Sequence, residues 1–157
     1  MNNEILSGKR DSFISRFEKE SNKIKRQVHF QSVLNMTDAL LLIKNKRESE
    51  SHKQLLDNYF QEVSALEFPI DKLSSLKLYN IYLFPISLYL MRKADFRSSA
   101  NLEMNLIWGI LLDIGLFWLF FSKIGFYFPV FTLFFVYRAY KLKKNAIRNN
   151  KYFNTYY

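Results

Sequence analysis

Apolar positions are spread unevenly along this chain. They are sparse and periodic over roughly the first hundred residues and almost continuous over about the next forty. From Asp11 to about Lys46 the pattern predicts helix, with Asp11 or Ser12 as its cap, since either side chain can accept a free backbone N–H. Phe13, Phe17, Ile24 and Val28 recur near helical spacing and give that stretch one apolar face. The run Ala39 to Ile43 is too short to span a bilayer and is expected in a helical core. A charged stretch follows, from Lys44 to Lys53. Leu55, Leu56, Tyr59, Phe60, Val63 and Leu66 then form an amphipathic stripe, which predicts a second helix from Ser49 to Leu66. Pro69 lies just beyond it, and the residue before a proline is pushed out of helical geometry.

The segment Leu78 to Met91 is aromatic and apolar, shorter than a spanning helix, and carries Pro85 in its middle. It is expected as an interfacial segment, because Tyr rings favour the headgroup level. A buried segment of the N-terminal part and a short or broken membrane segment are the alternatives.

The longest apolar stretch runs from Met104 to Tyr140. Between Leu106 and Tyr137 its charged residues are Asp113 and Lys123. It predicts two helices, one from about Ser99 to Phe121 and one from about Phe128 to beyond Tyr140, joined by a turn from Ser122 to Tyr127 that contains Gly125. Each arm approaches the lower limit of about 17 residues for a membrane span. Pro129 suits the first turn of the second helix, where a missing N–H costs nothing. The expectation is an all-α integral membrane protein: a C-terminal two-helix transmembrane hairpin preceded by a basic helical N-terminal region. Its divisions fall at 1–76 (basic helical region), 77–97 (interfacial segment), 98–150 (hairpin and basic extension) and 151–157 (a tail expected to fray).

Charge adds an orientation. Of 157 residues, Lys and Arg supply 23 and Asp and Glu 14, a formal net charge of +9. Arg92, Lys93 and Arg97 precede the hairpin, and Arg138, Lys141, Lys143, Lys144 and Arg148 follow it. The positive-inside bias places both termini on the cytoplasmic or matrix side of a bacterial or organellar inner membrane. The opening ten residues have no apolar core and do not read as a secretory signal, so insertion is expected to rely on the hairpin. Arg16, Lys19, Lys23 and Arg26, with Arg92, Lys93, Lys141, Lys143 and Lys144, are candidate contacts for anionic lipid headgroups or an acidic partner. A solvated helix face is the plainer account of the N-terminal cluster.

The chain has no Cys, which excludes disulfide frameworks, thiolate metal sites and thiol nucleophiles. His29 and His52 fall in no ligand spacing, and no phosphate-cradling or nucleophile-elbow motif is present. No cofactor and no nucleic-acid partner are expected, and an enzyme is the least favoured class.

Asp113 is the residue that calls for an explanation, since a carboxylate inside an apolar helix is costly and therefore a functional candidate. Asn101, Asn105, Gly109 and Asp113 are spaced four apart and share one helical face. Small and polar stripes mark helix contacts, so this one predicts a partner helix: the second arm, another copy or another protein. Within a hairpin Asp113 would lie opposite Val136 to Arg138, with Tyr137, Arg138 and Thr132 as candidate partners. It would then either fix packing or handle protons. The expected function is a non-catalytic accessory or structural subunit of a larger membrane complex, with other subunits favoured over self-assembly. A homo-oligomeric conducting or permeabilising protein using Asp113 and a tethered binding module are the rivals.

Overall fold

The computed structural model describes residues 3–43, 46–124 and 129–153 and, within them, the side chains of all but 46, 47, 100–102 and 120–124. The chain divides into two units, the first ending at Phe96 and the second beginning at Arg97.

The first unit is helical. Its elements are α1 (Asn3–Phe17), α2 (Asn22–Gln27), α3 (Phe30–Leu42), α4 (Lys46–Ala65), α5 (Lys72–Leu78), a π-helical turn (Tyr79–Leu83) and α6 (Phe84–Lys93). The long helix expected from Asp11 to Lys46 is thus three helices. Ser21 starts α2 by accepting the N–H of Ile24, and His29 turns the chain between α2 and α3 with a left-handed φ of 47°. Asp11 and Ser12 lie inside α1 and not at its start; Ser12 instead donates to the carbonyl of Gly8. The stripe on α4 behaves as expected, with Leu56, Tyr59, Phe60 and Val63 buried.

The core of this unit is aromatic. The Phe13 ring lies 5.0 Å from Phe17, 5.3 Å from Phe60, 5.6 Å from Phe30 and 6.3 Å from Tyr59. Leu78, Tyr79, Leu83, Ile86 and Leu90 are buried, so the segment Leu78 to Met91 adopts the buried alternative and not the interfacial one. Pro85 does not break it. A proline lacks the N–H for a normal helical bond and its ring crowds the preceding turn, and the helix widens just ahead of it, with the Phe84 N–H reaching back to the carbonyl of Tyr79.

The second unit contains β1 (Arg97–Ser98), α7 (Ala100–Ile124), α8 (Val130–Arg148) and β2 (Tyr152–Phe153). Asn150, with φ 54°, stops α8, and the Lys151 N–H returns to the carbonyl of Ala146 at 2.8 Å. This reversal lays β2 parallel to β1, Arg97 beside Tyr152 and Ser98 beside Phe153. The start of the tail is therefore held, and Phe153 is buried.

The transmembrane hairpin expected from the apolar run is corrected by the structure. Among the described residues, no helix is long and apolar enough to cross a membrane. On α8 the apolar stretch ends at Tyr137, before Arg138, Lys141, Lys143 and Lys144. On α7 the run is flanked by Glu103 and interrupted by Asp113. A span needs about 20 predominantly apolar residues. The integral-membrane fold class, the inner-membrane placement and the orientation built on them fall with this finding. The turn expected at Gly125 lies outside the described residues.

Candidate functional site

Pro129 precedes α8 and carries no side-chain acceptor, so the first N–H groups of that helix need a partner from elsewhere. Asp113 provides it across the helix pair. Its Oδ1 accepts the N–H of Phe131 at 3.1 Å, and its Oδ2 accepts the N–H of Thr132 at 2.7 Å. These are the second and third residues of α8, the N–H groups that a capping side chain ordinarily serves. The negative charge also faces the positive end of the helix dipole. Asp113 is 4% exposed, so the two bonds work in a setting with little competing water.

Gly109, one turn earlier on α7, explains how the helices come so close. A Cβ built there would meet the Cα of Thr132 at 2.8 Å and the carbonyl oxygen of Phe131 at 3.3 Å. Both are backbone atoms, so a side chain would have to push the helices apart. Asn105, half-buried, borders a small crevice with Arg97, Ser98, Ala139, Leu142, Lys143 and Tyr152. The polar stripe therefore faces the second arm at Asn105, Gly109 and Asp113. The side chain of Asn101 lies outside the described residues.

The register differs from the expected one. Asp113 meets Phe131 and Thr132, not Val136 to Arg138. Thr132 is a partner, but through its backbone; Tyr137 and Arg138 are exposed. The physical reason is where α8 begins: its unpaired first-turn N–H groups are a stronger draw for a carboxylate than a side chain further along. The missed signal was a long apolar helix that starts after a proline without a Ser, Thr, Asp or Asn cap.

Opposite this polar seam, the pair is apolar and exposed. Trp118 is 88% exposed, and Trp108, Leu111, Ile114 and Leu119 on α7 and Leu133, Phe134 and Tyr140 on α8 are all more than half exposed. Isolated exposed apolar residues are normal, but contiguous ones mark interaction surfaces.

The candidate basic contacts are scattered. Lys19, Lys23, Arg26, Arg92, Lys141 and Lys144 are exposed. Lys93 pairs with Glu48 at 3.0 Å, and Lys143 lies 5.5 Å from the centroid of the Tyr152 ring. Arg16 has a structural task. It donates to the carbonyls of Val63, Ser64 and Leu66, at 3.1, 2.8 and 2.9 Å, which closes the C-terminal end of α4.

His29 is buried. Its Nε2 lies 3.3 Å from the hydroxyl of Ser75, and its ring centroid lies 5.0 Å from that of Tyr79. The Ser75 hydroxyl donates to the Gln27 carbonyl at 2.6 Å, so the His29 nitrogen is the donor toward Ser75. Burial pushes the His29 pKa below its ordinary value, offset in part by hydrogen bonding to the Ser75 backbone. This trio is a sealed structural network rather than a nucleophile and base, because Ser75 is fully buried. Among the described residues, no three His, Asp or Glu side chains converge to hold a metal ion. No protein family, curated protein or solved structure matches the chain.

Proposed function

We propose that this protein is a non-catalytic interaction subunit that docks onto another protein of a larger assembly through the outer surface of α7 and α8. The observation that carries the reading is the contrast between the two sides of that helix pair. Gly109 and Asp113 of the polar stripe are turned to α8, with Asp113 spent on its N-terminus, while Trp108, Trp118 and Phe134 stand in the open. Trp is among the residues most enriched at the energetic centres of protein interfaces. The partner is a different protein with an apolar patch bordered by acidic groups. Its charge follows from the net +9 of this chain and from exposed Lys141, Lys144 and Arg148 beside the apolar surface.

The test is native purification of the full chain, followed by mass spectrometry and by photo-crosslinking from positions 118 and 134. Crosslinks from both positions to one stoichiometric acidic protein, lost on Trp118→Glu, are expected. A homogeneous homo-oligomer with no foreign subunit would overturn the reading, as would partition into anionic vesicles with no protein partner.

A further inference from the structure

Helices α1 and α4 leave a half-open groove of about 190 Å³ in the first unit, and its lining residues all belong to these two helices. Phe13, Phe17, Phe60 and Val63 form its apolar floor, and Lys9, Ser12, Arg16 and Ser64 stand among its other lining residues. The volume is informative. Sites for drug-sized ligands run from about 300 to 1,000 Å³, whereas a cavity of about 150 Å³ holds a benzene ring. This groove therefore accommodates one aromatic side chain and little more.

The rim supplies the second constraint. Arg16 is held in place over the rings of Phe17 and Phe68, at 5.1 and 5.8 Å from their centroids. Its three hydrogen bonds go to backbone carbonyls, and among the described residues it meets no carboxylate. A guanidinium has five N–H groups, so two remain for an incoming acceptor. Lys9 is already paired with Asp57, which leaves Arg16 as the cation that an acidic ligand would find.

We propose that this groove is a second docking site, one that seats a single Phe side chain of an acidic peptide segment, with a neighbouring carboxylate of that segment on Arg16. An aromatic anchor in a pocket beside an Arg is a common arrangement at the energetic centre of protein interfaces. The site is independent of the α7 and α8 surface and stands or falls without it.

The experiment titrates the full chain with the capped peptide EEFEE, with EEAEE and KKFKK as comparators, following the resonances of Phe13 and Phe60 by NMR. Binding of EEFEE that moves those resonances, and weakens about tenfold or more on either peptide change, is expected. Ser12→Trp fills the mouth from α1 with Arg16 itself unchanged, and Ser64→Trp does so from α4. Each should abolish binding, with a circular dichroism spectrum like that of the parent chain showing that the fold is intact. If both folded variants still bind EEFEE, or if KKFKK binds as well as EEFEE, the proposal is overturned. Binding of octanoate without binding of EEFEE would likewise overturn it, because the site would then belong to a small amphiphile.

Discussion

The carboxylate of Asp113 accepts the backbone N–H of Thr132 at 2.7 Å, so a side chain of one helix caps the start of another. Its second oxygen is equally committed, to Phe131. An amide can offer one accepting oxygen and must turn its NH₂ toward the other N–H. Asp113→Asn is therefore expected to destabilise the second unit by about 1–3 kcal/mol, the cost of leaving a buried donor unpaired. Thermal unfolding measures the loss, and amide hydrogen exchange at residues 131 and 132 locates it. Stability equal to that of the parent chain would mean that the charge and the second acceptor contribute nothing.

Gly109 and Gly115 make a matched pair on the same helix. A Cβ at Gly109 would strike the backbone of Thr132, whereas at Gly115 nothing lies within 4 Å. Gly109→Ala should separate α7 from α8 and lengthen the Asp113 bonds, with a loss of about 1–3 kcal/mol as for other overpacked sites. Gly115→Ala should stabilise by up to about 1 kcal/mol, since Ala is the better helix former. Opposite signs in urea unfolding midpoints are expected. The same sign for both would show that the close approach at Gly109 is not what sets the cost.

Much of this architecture was visible as periodicity. The stripe of Leu56, Tyr59, Phe60 and Val63 identified α4 and its buried face, and four-residue spacing put Asn105, Gly109 and Asp113 on the contact side of α7. Breaks set by tertiary contacts were not visible. Nothing local in His29 announces a left-handed turn; the neighbours that surround it, Ser75 and Tyr79, arrive from more than forty residues away. The target of Asp113 was hidden for a related reason, since it depends on where α8 begins and not on which side chains α8 carries. The apolar run is long in sequence but interrupted in each helix, by the polar stripe on α7 and by the basic residues from Arg138 onward on α8, so its total length does not translate into a span.

Tyr59 donates its hydroxyl to the carbonyl of Val28 at 2.5 Å, tying α4 to the end of α2 inside the core. Burial pushes its pKa far above the ordinary tyrosine value, so it remains a donor throughout the physiological range. Tyr59→Phe keeps the ring and its contacts with Phe13 and Phe60 but strands the Val28 carbonyl. A loss of about 1–3 kcal/mol is expected with no change in helical content, read as a lower urea midpoint with an unchanged slope. A changed slope would point instead to an altered native or denatured state.

The pH dependence of stability follows from His29. Its folded pKa lies below the ordinary value of 6.5, because burial disfavours the charged ring. As pH falls through 6.5 the unfolded chain takes up this proton while the folded chain resists it, and by linkage the unfolded state gains. The contribution of His29 is therefore complete above pH 6.5 and declines steadily below it, levelling only once the folded ring is protonated as well. Urea midpoints of the parent chain should be lower at pH 5.5 than at pH 7.5. His29→Asn tolerates the left-handed backbone and cannot titrate, so it should lower the midpoint at pH 7.5 but shrink the difference between the two pH values. If the variant keeps the full difference, the pH sensitivity resides in other groups and the burial of His29 has no part in it.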